Sequence, residues 1–378
     1  MLDKKFYLQH TVDVYVSELE NKRVLITFHR MTTREKVEIT TSKSIAKFLA
    51  LLNGKRTVQE ILDKLGEFNN DDAKHLVHFL LNHHLITERD ESTNLDSRYS
   101  RQIAYFDDML LDRDGSQSQA ILGSKKIVIL GCGAVTGSIA ETLVRAGVLN
   151  IVLIDDKYFQ QSNLQRHLFA READIGKHKV DVLANYLRRI DSKIEVKVFK
   201  EHLFPSTNLS KWISDDTDLV INGCDEPYIG HTSVKLGRYL QSKKIPLYVI
   251  GGFDAHLMSS GEMVHPPYTP CIDCIQNTFS KALDGWKPIY TRVKDIQQLI
   301  DKTKLVCNQS LTYDIGAAGG LALMSGYSSY LSCLRIIQYL TEDSKYDFST
   351  IRYEYIPNRG ELTSFKLSKQ EGCNVCNR

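Results

Sequence analysis

The chain has 378 residues, 42% of them hydrophobic and 25% charged, and its 48 basic and 46 acidic residues leave a formal net charge of +2. This length and composition indicate a globular protein with more than one domain, and the near balance of charge excludes a general electrostatic attraction to nucleic acid or anionic lipid. The sequence shows no apolar run as long as a membrane span and no secretion signal at its N-terminus. We therefore expect a cytoplasmic protein, with neither nucleic acid nor a membrane among its partners.

The first 95 residues predict a small domain of their own. The alternating stretches "RVLITFHR" and "EKVEIT" predict a β-hairpin, and "SKSIAKFLALLNG", "TVQEILDKLG" and "DDAKHLVHFLLNHHLI" predict helices. Thr57 and Glu60 form a capping-box pattern at the start of the second helix. Hairpin and helices together are typical of a winged-helix domain over residues 1–95. The polar "TERDESTNLDS" predicts a linker at about residues 87–97.

Strands and helices alternate from "SKKIVILGCG" onward. The apolar runs "KIVIL", "NIVLID", "IEVKVF", "DLVIN" and "PLYVIGG" predict buried strands, with helices at about 176–190 and 228–242. This alternation predicts an α/β fold with a Rossmann-like, doubly wound, mostly parallel sheet, whose ligand lies at the carboxyl ends of the strands. "TIRYEYIPN" and "ELTSFKL" predict a final hairpin with its turn at Asn358 to Gly360.

A glycine-rich turn follows the first of these strands. In "GCGAVTG", Gly131 and Gly133 supply the tight turn and the close approach to phosphate that a dinucleotide-binding loop needs, whereas Thr136 occupies the place of the third glycine. A capping box at Ser138 predicts a helix that starts later than Thr136. Asp155, after the second strand, suits a ribose hydroxyl, as in nicotinamide-dependent dehydrogenases. The turn alone therefore leaves the nucleotide open.

The next segment, "DDKYFQQSNLQRHLFAREADIGKHKV", is unlike a dehydrogenase. Polar residues follow the second strand, and Lys179 stands near the start of the next predicted helix. The pattern D-x(6)-S-N-L-x-R-Q with a later lysine resembles the ubiquitin-activating-type (ThiF/MoeB) adenylating superfamily. "RYSRQI" and "GCDEP" match the family's motifs before the first strand and after the fourth. The resemblance covers about residues 98–378, and we take 96–378 as the adenylation domain.

The resemblance implies an ATP site at the carboxyl ends of the strands. Asp155 would bind the ribose, Asn163 and Arg166 the phosphates, Lys179 the triphosphate, and Asp225 the Mg²⁺ ion. The implied ATP-binding positions are Gly131, Gly133, Ala134, Asp155, Asp156, Ser162, Asn163, Gln165, Arg166, Lys179 and Asp225.

The family also implies catalytic roles for Arg166, Lys179, Asp225 and a fourth residue, Arg101. In family dimers the arginine at the position of Arg101 reaches into the ATP site of the partner subunit. This implies a homodimer.

Three positions depart from the family pattern. Ala134 and Thr136 stand where the family has glycines, and His167 stands where it has glutamine. Methyl groups in the glycine turn are expected to crowd the phosphates. An inactive peptide-binding scaffold is therefore an alternative to an active enzyme.

Two pairs of cysteines have the spacing of metal ligands. "CIDC" contains Cys271 and Cys274, and "CNVC" contains Cys373 and Cys376. Two such pairs suit tetrahedral zinc, although redox pairs or chance remain alternatives. The resemblance implies a closed, structural Zn²⁺ site that tethers the end of the chain to a crossover region at about 275–310.

Four further cysteines have no metal-ligand spacing. Cys307 lies in the crossover region and is a candidate for thioester or persulfide chemistry. The more common explanation, a small buried thiol, applies to Cys132, Cys224 and Cys333.

The N-terminal unit separates this chain from the simplest members of the superfamily. It resembles the PqqD-like recognition elements (RREs) of enzymes that modify ribosomally made peptides (RiPPs), which capture a leader peptide by strand addition. A DNA-binding winged helix or a dimerisation module remains an alternative.

Together the two parts resemble the adenylating enzymes of peptide-antibiotic biosynthesis, including those of the microcin C and pantocin pathways. The implied function is ATP-dependent adenylation of a carboxylate on a precursor peptide, leading to dehydration or cyclisation. Either a glutamate side chain or the C-terminal carboxylate would react. A sulfur-carrier protein adenylyltransferase of the MoeB/ThiF type is the alternative enzyme.

Overall fold

The computed structural model describes residues 1–31, 33–88, 98–109, 114–226, 229–251, 258–284, 320–341 and 350–376. The chain divides into two compact units, Met1–Gln119 and Ala120–Arg378. A division into domains near residue 95 remains a prediction from the sequence. None of the helices in the described ranges has the length and apolar composition needed to cross a membrane.

The first unit contains two small sheets and several helices. Its strands are β1 (Lys5–Leu8), β2 (Val12–Glu18), β3 (Arg23–Arg30), β4 (Glu35–Ser42), β5 (Asn53–Thr57) and β6 (Ile86–Thr87). Its helices are α1 (Lys43–Leu51), α2 (Val58–Leu65), α3 (Asn70–Asn82), α4 (Ser100–Met109) and α5 (Gly115–Ser124), the last of which runs into the second unit. Strands β2, β3 and β4 form an antiparallel meander, and β1 lies between β5 and β6.

Alternating burial explains the meander. Val24, Ile26 and Phe28 of β3 are buried at every second position and form one core with residues of α1, α2 and α3. The predicted capping box is confirmed, since the Glu60 N–H donates to Thr57 Oγ1 at 3.2 Å and the Thr57 N–H donates to Glu60 Oε2 at 2.8 Å. The meander has one strand more than the expected hairpin. The winged-helix assignment remains a prediction.

The second unit contains the large sheet. Its strands are β7 (Lys126–Leu130), β8 (Asn150–Ile154), β9 (Glu195–Phe199), β10 (Leu219–Asn222), β11 (Leu247–Val249), β12 (Met258–Ser259), β13 (Glu262–Val264), β14 (Ile351–Ile356) and β15 (Glu361–Lys366). Its helices are α6 (Ala134–Arg145), α7 (Lys179–Ile190), α8 (Ile229–Lys243), α9 (Ile272–Asp284) and α10 (Ala322–Thr341).

The large sheet has the order β13-β11-β10-β7-β8-β9. All its neighbouring strands are parallel except β13, which runs antiparallel to β11. The chain moves outward from β7 through β8 to β9 and then returns to β10, so the strand order reverses between β7 and β10. Doubly wound sheets bind ligands outside the carboxyl ends of the strands at such a switch point. The predicted α/β architecture of this unit is confirmed.

Burial of the central strand fixes the sheet. Residues 127–130 of β7 are fully buried, as expected for a parallel strand covered on both faces. Each such apolar side chain stabilises the fold by roughly 1.5–3 kcal/mol. Helix α10 packs along α6, where Ser329 Oγ donates to the Val135 carbonyl at 3.0 Å. The predicted C-terminal hairpin is confirmed as β14 and β15, with Gly360 in its turn at φ +65°.

Candidate functional site

A glycine turn ties together the carboxyl ends of three strands. Gly131 follows β7 and adopts φ +83°, a left-handed conformation that suits glycine. A Cβ atom at Gly131 would lie 2.8 Å from the carbonyl group of Gly223, which follows β10. The Gly131 N–H donates to the Ile154 carbonyl at 2.8 Å, and the Gly223 N–H donates to the Leu130 carbonyl at 2.7 Å. Both the backbone conformation and this close approach therefore require glycine at position 131.

Helix α6 begins directly at this turn. Its N-cap is Gly133 and its first residue is Ala134, so the expected later start at Ser138 is wrong. The reason is Thr136, whose Oγ1 accepts a hydrogen bond from the Gly133 N–H at 2.9 Å and donates to the Gly131 carbonyl at 2.6 Å. A side-chain oxygen three residues into a helix satisfies the N-cap amide in this way. The helix N-terminus at the switch point suits an anion.

Thr136 fills the space between the two glycine turns. The residue is 1% exposed, and its Cγ2 lies 2.5 Å from the position that a Cβ of Gly223 would take. The methyl group thus packs towards Gly223 and does not stand free in the crevice. Ala134, the other position without the family's glycine, is also buried.

Two acidic residues follow β8. Asp155 Oδ2 accepts the Cys132 N–H at 2.6 Å, and Oδ1 accepts the Lys157 N–H at 2.7 Å. A carboxylate accepts about four hydrogen bonds, so Asp155 retains capacity for a ribose hydroxyl while it braces the glycine turn. Asp156 is half-exposed, and its Oδ1 lies 3.3 Å from His202 Nδ1.

The S-N-L-Q-R segment forms a short 3₁₀ helix and its continuation. Asn163 is buried, and its Oδ1 accepts the Gln160 N–H at 3.0 Å. This structural bond leaves only the amide nitrogen of Asn163 for a phosphate. Arg166 donates to the Ser162 carbonyl at 3.2 Å, and the Gln165 side chain donates to the Gly320 carbonyl at 3.4 Å. Gln165 is thus directed to the segment before α10.

Lys179 is the first residue of α7 and is half-buried. Its N–H donates to the Lys157 carbonyl at 2.9 Å, which holds the start of the helix against the segment after β8. Burial lowers the pKa of the Lys179 ammonium, while the Asp155 carboxylate opposes that shift. Within the described residues its Nζ forms no hydrogen bond or ion pair. The ammonium is therefore a partly desolvated cation next to Asp155.

Asp225 is an exposed carboxylate just after β10. The turn that carries it is fixed by the Cys224 N–H, which donates to Asn222 Oδ1 at 3.0 Å. Glu226 forms an ion pair with Lys157 across the same edge of the sheet. The Asp155 carboxylate interacts electrostatically with both the Lys179 ammonium and the Cys224 thiol, and the Cys224 thiol interacts in turn with Asp225.

Two thiols near this edge, and a third on α10, lie where burial disfavours the thiolate. Burial and the Asp155 carboxylate raise the pKa of both Cys132 and Cys224, and burial raises the pKa of Cys333. Thiolate is the nucleophilic form of cysteine. These residues fit the expectation of structural thiols. Cys307 lies outside the described residues.

Arg101 lies on α4 in the first unit. Its contribution to a partner's ATP site remains a prediction. Sequence reasoning missed the hydrogen-bonding role of Thr136 and the contribution of Phe159, whose ring centre lies 6.0 Å from Lys179 Nζ. It noted His167 only as a departure from the family pattern, and that departure was the signal that could have identified the residue.

The four predicted cysteine ligands converge. The Sγ atoms of Cys271, Cys274, Cys373 and Cys376 all lie within 4.8 Å of one another. Two of the pairs are Cys271 with Cys373 at 3.7 Å and Cys274 with Cys376 at 3.5 Å. Ligands on tetrahedral zinc with bonds of about 2.3 Å stand roughly 3.8 Å apart, whereas a disulfide is about 2.05 Å long. The cluster therefore has the dimensions of a metal site and not of disulfides.

Backbone N–H groups lie near sulfur atoms of this cluster, whereas burial raises the pKa of Cys271 and Cys274. The Gln370 N–H donates to Cys274 Sγ at 3.3 Å. Backbone N–H groups of Cys376 and Val375 lower the pKa of Cys373 to about 7. Metal-bound cysteines must be deprotonated, and N–H donors to sulfur orient such ligands. The residues fit zinc, with all four positions taken by protein.

The second unit is thus a doubly wound α/β domain with a glycine turn, cations and carboxylates at its switch point and a four-cysteine cluster. The sequence pattern of the ThiF family matches residues 99–375, and the chain belongs to this family.

Curated relatives cover the chain in part. "Adenylyltransferase and sulfurtransferase uba4" of Aspergillus niger is 34% identical over 211 residues, which is 50% of this chain and 40% of that protein. "Adenylyltransferase and sulfurtransferase MOCS3" of Bos taurus is 35% identical over 112 residues, 30% of this chain and 23% of that protein. The chain therefore spans less than half the length of these relatives.

Solved structures share the fold over nearly the whole chain. The structure of E. coli MccB with MccA has a TM-score of 0.74 at 18% identity and covers 99% of both chains. E. coli MccB with ATP has a TM-score of 0.72 at 18% identity, again over 99% of both chains. PaaA has a TM-score of 0.64 at 17% identity and covers 94% of this chain and 99% of its own. At these identities the likeness shows the fold, including that of the N-terminal part.

Proposed function

We propose that this protein uses ATP and Mg²⁺ to activate a carboxylate of a ribosomally made precursor peptide as an acyl adenylate. The observation that carries the proposal is that the Gly131 turn and Lys179 both interact with Asp155 at the switch point of the sheet, with Asp225 just after the neighbouring strand β10, in a chain of the ThiF family. This is the place where doubly wound folds bind nucleotides. We also propose that the enzyme works in the cytoplasm.

The reaction depends on stabilisation of the negative charge that develops on the phosphates, and no covalent intermediate with the protein is needed. An oxygen of the substrate carboxylate attacks the α-phosphorus of ATP, and the bond from that phosphorus to the oxygen bridging to the β-phosphate breaks. Pyrophosphate leaves with the electron pair. Lys179 and Arg166 would place positive charge on the phosphates, where fixed cations lower the barrier. The helix N-terminus at Ala134 adds its N–H groups.

The remaining positions would bind the ribose, a phosphate and the magnesium ion. Asp155 would accept a ribose hydroxyl with the lone pairs that its two backbone bonds leave free, and Asp156 lies beside it. The Asn163 amide nitrogen would meet a phosphate. Asp225, an exposed carboxylate, would hold magnesium, which prefers carboxylate oxygens and supplies positive charge to bound phosphates.

Fold likeness beyond the adenylation domain supports a peptide as substrate. The likeness to MccB spans 99% of both chains and so includes the N-terminal unit. That unit has an antiparallel meander with β2 and β4 as its edge strands, and a leader peptide can bind such an edge strand through backbone hydrogen bonds. The adenylate would then be captured by an internal nucleophile with loss of AMP. Either a glutamate side chain or the C-terminal carboxylate would be activated.

A second candidate is a sulfur-carrier protein as substrate. The names of the curated relatives, adenylyltransferase and sulfurtransferase, favour it. It differs from the first candidate in the carboxylate, which would be the C-terminus of a small protein ending in Gly-Gly. A scaffold that binds peptide without consuming ATP is the alternative without catalysis.

We propose a homodimer, and an exposed apolar stripe on α10 supports it. Leu323, Tyr327, Tyr330 and Leu334 are exposed and recur at spacings of four, three and four residues, which puts them on one face of the helix. Leu323 is 67% exposed and Tyr330 is 58% exposed. Contiguous exposed apolar side chains typically mark an interface. A second copy of the chain would cover this stripe.

The substrates can be separated in one assay. The full chain with MgATP is given the candidate precursor peptide, the same peptide amidated at its C-terminus, or a carrier protein ending in Gly-Gly, and peptide mass and nucleotide products are measured. AMP and pyrophosphate with a modified peptide support the main proposal, and loss of reaction on amidation identifies the C-terminal carboxylate. Reaction with the carrier protein alone supports the second candidate. Peptide binding without ATP turnover supports the scaffold.

A further inference from the structure

A buried histidine near α7 has one unused nitrogen. His167 is 3% exposed, and its Nδ1 lies 3.0 Å from the Asn163 carbonyl oxygen. Because a carbonyl can only accept, Nδ1 carries the proton and Nε2 of the neutral ring presents a lone pair. No described residue donates to Nε2. A buried acceptor without a donor is destabilising, so it calls for an explanation in the function of the site.

Aromatic rings fix the direction of this imidazole. The Phe159 ring lies 5.3 Å away at 82°, and the Phe169 ring lies 5.8 Å away at 63°. Phe169 is itself held against α6, since a Cβ at Gly137 would lie 2.1 Å from its ring. The unused nitrogen is therefore held in one orientation.

Lys179 is the unused donor nearby. Its Nζ lies 6.0 Å from the centre of Phe159, the same ring that contacts His167. Burial and the positive charges of Lys179 and Arg166 lower the pKa of His167 to about 4, so the ring is a neutral acceptor near pH 7. Among the described residues, the Lys179 ammonium and His167 Nε2 both have no hydrogen-bond partner, and both side chains lie near the Phe159 ring.

We propose that His167 is a positioning residue for Lys179. When ATP is bound, Nε2 of His167 would accept a hydrogen bond from the Lys179 ammonium, a bond that the structure itself does not contain, and so direct the remaining N–H donors towards the phosphates. This inference rests on the proposed function, in which Lys179 contacts the triphosphate. Glutamine, the residue of the family pattern at this place, carries an acceptor oxygen at a similar reach.

Two conservative variants distinguish the role of Nε2 of His167 from the role of its Nδ1. In His167→Gln a polar group stands near the place of Nε2, whereas in His167→Asn the amide replaces only Nδ1. MgATP is titrated into each full-length protein by calorimetry. We expect His167→Gln to keep the wild-type Kd within about threefold and His167→Asn to raise it about tenfold or more, the effect of one charge-assisted hydrogen bond. A purely structural role of the Nδ1 bond predicts the opposite order.

The same titrations in a Lys179→Met background test whether His167 acts through Lys179. There we expect His167→Asn to change Kd less than about twofold, because residues that act through one contact are not additive. Thermal unfolding without ATP verifies that each variant is folded. Absence of MgATP binding by the wild type would overturn the proposed function itself. A wild type that binds, with equal Kd for the Gln and Asn variants or an undiminished effect in the Lys179→Met background, would overturn the positioning role alone.

Discussion

Thr136 shows how one side chain can replace a glycine of the family pattern in the turn after β7. The residue uses its hydroxyl to join Gly133 and Gly131 and its methyl group to fill the space beside Gly223. A glycine at this place would leave the helix N-terminus without that internal bond. The departure from the family pattern is therefore compensated within the turn, and it does not by itself indicate a lost site.

This role predicts an order of stability at position 136. Thr136→Val keeps the volume but removes both hydrogen bonds, and we expect it to lower the free energy of unfolding by roughly 1–3 kcal/mol. Thr136→Ser keeps the hydroxyl and loses one methyl group, which is worth about 0.8 kcal/mol. Urea denaturation measures both. A valine variant at least as stable as the serine variant would show that the hydroxyl does not hold the turn.

His167 predicts a pH dependence of stability. Its pKa is lowered from 6.5 to about 4 in the folded chain, so the unfolded chain binds the proton more readily. The stabilisation is present above pH 6.5 and is lost as the pH falls towards 4. Between pH 6.5 and pH 4 we expect the wild type to lose about 3 kcal/mol more than His167→Gln, at about 1.4 kcal/mol per pH unit. Urea denaturation at each pH measures the free energy of unfolding. An equal loss of this free energy in the two proteins between pH 6.5 and pH 4 would exclude this effect.

At the scale of elements, the chain end after β15 is joined to the start of α9 by the four-cysteine cluster. Cys271 and Cys274 stand at the start of that helix, and Cys373 and Cys376 lie in the tail. Gln241 of α8 adds a hydrogen bond to the Val375 carbonyl at 3.0 Å. A bound zinc ion would stabilise the folded state because the unfolded chain has no preformed site.

The cluster predicts one zinc per chain. We expect Cys376→Ser to lose the metal and to lower the unfolding temperature, whereas Cys224→Ser, which lies outside the cluster, retains it. Elemental analysis of the purified proteins and thermal unfolding provide the two readouts. Equal zinc content in both variants would contradict the assignment of Cys376 as a ligand.

Helix α10 predicts where two copies of the chain meet. We expect Tyr330→Glu to convert the proposed dimer to a monomer, because a carboxylate in an apolar interface loses its hydration. Tyr268→Glu, at another exposed aromatic residue of the same unit, is the control and should leave the dimer intact. Light scattering after size exclusion measures the mass. A Tyr330→Glu protein that remains dimeric would show that the apolar stripe on α10 is not part of the interface.

For the whole molecule, the sequence predicts what depends on periodicity and short spacing. The strands of the large sheet follow from continuous apolar runs such as residues 127–130, the final hairpin from its turn, and the metal cluster from two Cys-x-x-Cys pairs. The predicted start of α6 was wrong because Thr136 forms hydrogen bonds to the Gly131 turn. The residue that packs against this turn, Gly223, lies far along the chain. The capping bond of Asn163 is local, since it joins Asn163 to Gln160, but the burial that leaves Nε2 of His167 without a donor among the described residues depends on packing that no local pattern records.

The most direct test of adenylation is ATP–pyrophosphate exchange by the full chain with the candidate precursor peptide. Wild type is compared with Lys179→Met and with Lys177→Met, a control at an exposed lysine that pairs with Asp174 at 2.9 Å. We expect exchange that depends on the peptide, is retained in Lys177→Met, and falls about 100-fold or more in Lys179→Met, as on loss of one group that stabilises charge in a transition state. Peptide binding without any exchange would contradict the proposed adenylation, and equal exchange by wild type and Lys179→Met would contradict the role of Lys179 in it.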